Sequence, residues 1–339
     1  VGRTLPALED RGGEEACIGC QYCVWNCPYS VPAYDPARHI VTKCDMSAEE
    51  LANDQWPACV AVCPTNALAI ETVDTREWAS HPEDGQLPGL PPVSLTLSTT
   101  RFSLPNGKNG HAFAGSNPLA IRMRAAPQHA HLSLVAFTVL TQMAVGAFVL
   151  LALAQFGNVG TRSAPAMTPL AIALVSMGLA PLHLGRPLRA YRAVLNWRQS
   201  WLSREIIAFG GFVGAAAASF GLTAFGIAAL AGVFKWAAIT LGLAALYCTA
   251  RIYRVPARPA WDSPRTTTLF LLTSLLLGGT GQTLLHDLLE GGLPASKPLP
   301  LAAQLLTTGT AVGILLLEAI WLLRNRKDSR REIQASLTL

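Results

Sequence analysis

A chain of 339 residues that is 51% hydrophobic and only 14% charged is too apolar for a water-soluble globular protein, where about a quarter of residues are charged. Its mean hydropathy of +0.33 says the same. The net charge of +5 is modest but unevenly placed, and no phosphate-cradling loop, nucleophile constellation or nucleotide fingerprint accompanies it, so neither nucleotide chemistry nor a nucleic-acid partner is expected.

The first element in chain order is Cys17-Ile18-Gly19-Cys20-Gln21-Tyr22-Cys23-Val24-Trp25-Asn26-Cys27-Pro28. Its C-x2-C-x2-C-x3-C-P spacing is the one with which bacterial ferredoxins hold cubane iron–sulfur clusters. Three thiolates two residues apart wrap one face of a cubane, and Gly19 eases the turn. The fourth cysteine of such a run, Cys27, ligates a neighbouring cluster. A second group follows as Cys44, Cys59 and Cys63-Pro64, which repeats the C-x3-C-P ending. Zinc ligation does not need these endings, and disulfides would require an oxidising compartment. Cys248, alone in an apolar segment, reads as a small buried hydrophobe.

Residues 75–128 are rich in Pro, Gly, Ser and Thr and read as a linker, either mobile or laid across a partner. Within it Val93–Leu97 alternates as a single strand would. Six long apolar runs follow, at roughly 131–155, 167–183, 205–226, 229–250, 267–288 and 301–323, each near the length that spans a hydrocarbon core. The expected fold is therefore an α+β ferredoxin-like iron–sulfur domain (1–74), the linker (75–128), an all-α transmembrane bundle of about six spans (129–325) and a basic tail (326–339). The sequence shows no signal peptide and starts with Val rather than Met, so a further portion upstream is expected.

Arginines crowd one side of the bundle: Arg122 and Arg124 before the first span, Arg186 to Arg204 in the second connection, Arg251 to Arg265 in the fourth, and Arg324 to Arg331 after the sixth. The other side offers Arg162 and Lys297, with Lys235 near a helix start. Positive charge favours the cytoplasmic side, which places the cysteine domain there in an inner membrane. Docking of an acidic partner subunit would produce the same asymmetry.

The cysteine pattern and the membrane half together resemble the iron–sulfur and anchor subunits of the dimethyl sulfoxide reductase family, joined in one chain. The resemblance is carried by Cys17–Tyr29, Lys43-Cys44-Asp45, Pro57–Leu68, His131–Phe148, His183–Ala190, Ser203–Ile206, Arg251-Ile252-Tyr253 and Pro256–Trp261. It implies [4Fe-4S] clusters, menaquinol or ubiquinol as electron donor, and a molybdopterin-type catalytic partner, in a multi-pass protein in contact with membrane lipids. By the same resemblance the His183-Leu184-Gly185 segment borders the quinol pocket, with Arg186 and Glu205 as hydrogen-bonding or proton-relay partners. His183 titrates near physiological pH, which suits quinol oxidation. The chain would then carry only the quinol half of a reductase reaction.

Three departures from the family stand out. Ser47 replaces the second cysteine of the family's K-C-D-x-x-C run, so that cluster is expected to be three-iron, serine-ligated or absent. Only the third and fourth of four cysteine groups are present. On the family's pairing, Cys17, Cys20 and Cys23 want a ligand from a missing group, whereas a two-cluster ferredoxin pairing gives Cys17, Cys20, Cys23 and Cys63 as one site and Cys44, Ser47, Cys59 and Cys27 as a defective other. A truncated or rearranged gene and a re-wired domain both fit. Six spans also stand against the eight of the family's anchor.

His129 and His131 read as marking the water-to-lipid boundary, and Glu318, near the end of its helix, is expected to pair with Arg324. His286 and Asp287 read as solvated on the face opposite the clusters. Rival readings are a non-redox anchor with a vestigial cluster domain, a polysulfide- or nitrite-reductase-type quinol-linked anchor, and a transporter with a sensing extension, whose paired broken helices the spans lack.

Overall fold

A computed structural model of the chain describes residues 16–27, 31–74, 76–77, 132–154, 164–255, 261–289 and 301–324. Nearly all of the 75–128 linker, its strand at 93–97, Pro28, Tyr29, His129, His131, Arg162, Arg258, Lys297 and the tail from 326 lie outside those residues. So do the side chains of His286, Asp287 and Arg324. The chain divides into two units, Val1–Cys17 with Gln21–Gln128, and Ile18–Cys20 with His129–Leu339.

The described elements of the first unit are short: α1 (Tyr22–Asn26), β1 (Ala33–Asp35), β2 (Ile40–Thr42), α2 (Ala48–Ala52) and α3 (Ala58–Ala61). The strands pair antiparallel in the register Ala33↔Thr42, Tyr34↔Val41 and Asp35↔Ile40. Asp35 forms the turn between them, its Oδ1 accepting from Ala37 N at 2.9 Å and Arg38 N at 3.2 Å, the local bond that makes Asp a turn former. His39 completes it with left-handed backbone at φ 56°. Gln21, Met46, Ser47, Asp54 and Asn66 are left-handed too, and with His39 they are the non-glycine examples among the described residues. Such residues bend a chain sharply at a steric cost, and here they fall between the cysteines.

The second unit holds six longer helices: α4 (Leu132–Ala154), α5 (Ala164–Leu179), α6 (Trp201–Ala224), α7 (Ala228–Tyr253), α8 (Pro264–Leu289) and α9 (Leu301–Arg324), with 3-10 turns at Ala180–His183 and Pro187–Val194. Of these, α4 over Leu132–Leu153, α6 and α7 are long and apolar enough to cross a membrane. A fourth span follows if Met167–His183 and Pro187–Val194, bent by 108°, count as one. Leu305–Trp321 is a shorter apolar helix. The architecture is thus an iron–sulfur-type head followed by a helical region with three to four candidate spans.

Ser200 starts α6 by accepting from Ser203 N at 3.3 Å, an N-cap. Gly226, at φ 78°, ends it, with Gly226 N donating to Thr223 O at 3.1 Å and Ile227 N to Leu222 O at 2.9 Å. That is a Schellman turn, and glycine enters its left-handed position freely. It reverses the chain so that α7 packs along α6. Between α4, α6 and α7 the rings of Phe148, Phe209 and Phe212 interlock, Phe148 meeting Phe212 edge-on at 5.6 Å and Phe209 stacking on Phe212 at 5.7 Å. The α4–α8 pair comes closer still: a Cβ on Gly146 would stand 1.7 Å from Ser274 O, and one on Gly278 would stand 2.2 Å from Ala147 N. Only glycine admits such backbone approach between helices.

Candidate functional site

No disulfide joins the cysteines among the described residues, and Cys248 is buried. The seven of the head lie on turns and short helices. Amides are already directed at two of their sulfurs: Ala67 N donates to Cys63 Sγ at 3.3 Å, and Met46 N to Cys44 Sγ at 3.4 Å. Thr65 Oγ1 lies 3.7 Å from Cys63 Sγ. The Thr65 hydroxyl first, and then the amides of the Cys63–Leu68 turn, lower the Cys63 thiol from its ordinary 9.0 to about 7. Thiolate donors that receive N–H bonds fit an iron–sulfur cluster, whose sulfurs are hydrogen-bonded in this way. Among the described residues no three ligand side chains stand together as a metal-holding group. Metal sites in small domains commonly assemble only with the metal, because binding and folding are one free energy. Ser47, in the position of the absent cysteine, has left-handed backbone at φ 54°, makes no capping bond with its hydroxyl, and donates its amide to Asp45 Oδ1 at 2.9 Å.

Within the second unit, the bend after α5 meets the tripeptide Ile18–Cys20. Gly185 N donates to Gly19 O at 3.3 Å and Arg186 N to Ile18 O at 3.1 Å. His183 ends the 3-10 turn just before these two residues.

Glu205 lies one turn into α6 and is 4% exposed. It accepts from Thr249 Oγ1 of α7 at 2.6 Å. Beside it the Trp201 ring carries two guanidinium groups, Arg204 at 4.5 Å and Arg251 at 4.9 Å, each attracted to the π face. Arg204 is fixed by donating Nε to Trp197 O at 2.9 Å and a terminal nitrogen to Arg198 O. Tyr253 stands at the end of α7, its ring 5.3 Å from that of Phe270. A buried carboxyl, a hydroxyl donor, two arginines and a phenol therefore gather where α6 begins and α7 ends.

The sequence pointed to Glu205 but assigned no role to Thr249, Trp201 or Tyr253. A threonine among apolar residues two places before Arg251 was the available signal. For Glu318 the expected partner was Arg324. Glu318 is paired with Arg265 at the start of α8, and the Arg265 guanidinium also lies 4.2 Å over the Trp321 ring, while the Arg324 side chain lies outside the described residues. Charge burial near an apolar helix end demands a partner, and tertiary packing supplied one 53 residues away.

Comparison with known proteins matches residues 127–291 to the DMSO reductase anchor subunit (DmsC) family and residues 12–73 to the 4Fe-4S dicluster domain family. The B subunit of the anaerobic dimethyl sulfoxide reductase of Haemophilus influenzae is 37% identical over 83 residues, 24% of this chain and 40% of that protein. The thiosulfate reductase electron transfer subunit PhsB of Salmonella typhi is 44% identical over 71 residues, 20% of this chain and 37% of its own. The B subunit of the polysulfide reductase of Wolinella succinogenes is 34% identical over 98 residues, 28% of this chain and 51% of its own. The chain thus spans about half or less of the length of these relatives. No solved structure matches. The chain is thus a membrane protein that joins a region matching the 4Fe-4S dicluster domain family to one matching the DMSO reductase anchor subunit family, and its first region is similar to the electron-transfer subunits of dimethyl sulfoxide, thiosulfate and polysulfide reductases.

Proposed function

We propose that the chain oxidises menaquinol or ubiquinol at the end of the bundle where α6 begins and α7 ends, and passes the electrons to a molybdopterin-type catalytic partner. The observation that carries this reading is Glu205, a carboxyl buried at 4% exposure in an otherwise apolar helix and held by Thr249. A buried ionisable group in a membrane helix marks a functional site by default.

Oxidation of a quinol breaks two O–H bonds and releases two electrons and two protons. Glu205 accepts one proton from a quinol hydroxyl, with Thr249 holding the carboxyl in place. His183, at the turn before Gly185, takes the other toward water, and Arg186 hydrogen-bonds the quinone oxygen left behind. Cys17, Cys20, Cys23, Cys27, Cys44, Cys59 and Cys63 are the ligands of [4Fe-4S] clusters, which when bound supply one-electron acceptors. Ser47 leaves one of them three-iron, serine-ligated or absent. In this reading all six helices cross the bilayer, the domains divide at 74, 128 and 325, and the cysteine domain faces the cytoplasm, as the arginine-rich connections favour.

The test is Glu205→Gln in the anaerobically purified chain. Dithionite-reduced cluster spectra should be unchanged, while reduction by a quinol analogue falls by roughly a hundredfold or more, the scale of a lost acid–base group. Unchanged quinol reduction would move the site elsewhere, and iron-free protein would favour the non-redox anchor.

A further inference from the structure

The connection from α5 to α6 turns sharply at its start. Pro187 drives Arg186 before it out of helical space, to φ −132° and ψ 75°, and the chain departs there from the direction of α5 by 108°. Pro187–Val194 then winds as a 3-10 helix, in which residues three apart eclipse one another. Three rows result. Pro187, Ala190 and Ala193 form a half-buried row, fastened to α6 where Ser203 Oγ donates to Ala193 O. Leu188 and Tyr191 form an open row, 94% and 62% exposed. Arg189 and Arg192 form a basic row beside it, with Arg192 Nε donating to the Tyr191 hydroxyl at 3.2 Å. The turn that follows exposes Leu195, Trp197 and Arg198, the last lying 5.5 Å over the Trp197 ring. Arg204 of α6 holds that turn by donating to Trp197 O and Arg198 O.

Large apolar side chains exposed side by side mark an interaction surface. What covers this one follows from where the segment runs. Because α6 is long and apolar enough to cross a membrane and starts at Trp201, the residues just before it stand at the membrane surface. A segment close to perpendicular to α5 runs along that surface instead of leaving it. Tyr and Trp gather at this level, and leucine beside arginine is the composition of a segment lying in it. Charge then selects the lipid. Five arginines and no acidic residue stand between His183 and Glu205, which complements anionic headgroups. An acidic protein would match the charge but not the direction of the segment.

We propose that the connection 184–200 is an interfacial strap, in which Leu188, Tyr191, Leu195 and Trp197 enter the membrane surface while Arg189, Arg192 and Arg198 bind the headgroups of anionic phospholipids. The strap rests on the reading that α5 and α6 cross the bilayer, and on nothing in the quinol chemistry.

The test places a photo-crosslinking benzoylphenylalanine at position 188, where the side chain is almost wholly exposed and little packing is lost. The full chain is held in nanodiscs of phosphatidylglycerol and phosphatidylcholine in equal amounts, and adducts are read by mass spectrometry. The same group at position 174, exposed on α5, reports whether α5 lies in lipid. Both positions should yield lipid adducts, with phosphatidylglycerol favoured about fivefold or more at 188 and not at 174. Arg189→Gln combined with Arg198→Gln should bring the ratio at 188 toward one and leave the adducts at 174 unchanged. With lipid captured at 174, any of four results at 188 would overturn the strap alone: no lipid, equal yields of the two lipids, a ratio unmoved by the double variant, or a polypeptide adduct in native membranes. No lipid at 174 would overturn the crossing of α5 and the strap with it.

Discussion

The two units hold themselves together by different means. In the first, among described residues up to 77, the buried side chains are Ile40 and Pro57, and the rest of the order comes from turns, a three-residue ladder and bonds to Asp35, Asp45, Cys44 and Cys63. In the second, aromatic rings interlock across helices and backbones meet at glycine. A domain with so small an apolar core needs another source of stability, and metal is the common one. The helical unit needs none, because its contacts are already made between its own side chains.

The sharpest way to break that contrast is to remove the iron. Chelation of the anaerobic full chain should expose residues 16–74 to protease while the helical circular dichroism of the second unit persists. The free energy at stake is on the order of 10 kcal/mol, the scale of structural metal in small domains. A head that stays protected without metal would mean that its turns alone suffice.

The converse experiment overpacks the helical unit. Gly146→Ala adds a Cβ that would stand 1.7 Å from Ser274 O, so α4 and α8 must part. The expected cost is about 1–3 kcal/mol or more, read as a lower midpoint in detergent unfolding, with cluster content unchanged. If iron were lost as well, the two units would not be independent in stability.

What the sequence disclosed follows the same division. Cysteine spacing is a local property, so Cys17 to Cys63 stand out as candidate ligands without coordinates, and apolar runs placed the six helices to within a few residues. Partners across helices were not legible. Glu318 met Arg265 and Glu205 met Thr249 because packing brought distant turns together, and nothing in the spacing of either pair announces it. Nor could the sequence show that Ile18–Cys20 joins the helical unit through Gly185 and Arg186, since backbone amides leave no residue signature.

The Glu205–Thr249 pair tests whether the helical unit treats polar groups as strictly as apolar ones. Thr249→Val keeps shape but leaves a buried carboxyl without its donor, at a cost of about 1–3 kcal/mol. Adding Glu205→Leu to it should recover most of that loss, because replacing both partners with apolar groups removes the unsatisfied atom. Detergent unfolding of the two variants measures it. No recovery in the double variant would mean that Glu205 has other ties within the bundle.

The smallest effect is the most revealing of the head. Its Cys63 thiol sits at about 7, lowered by Thr65 and neighbouring amides. The Cys63–Leu68 turn is local and outlasts the opening of the rest of the head, so alkylation of the metal-free chain should rise with a midpoint near pH 7, and Thr65→Val should move that midpoint up toward 9.0. The sign is fixed by linkage: a depressed thiol adds stability that is complete above its unfolded value and is lost as pH falls through the folded one. Because Cys63 is only partly buried, that contribution is small and reactivity is the better readout. A midpoint left at 9.0 in the wild-type chain would mean that the turn around Cys63 closes only on iron, making metal the sole organiser of the head. A midpoint near 7 would instead mean that the backbone readies the thiolate before any metal arrives, so that the first unit, poor as it is in core, still prepares its own ligands.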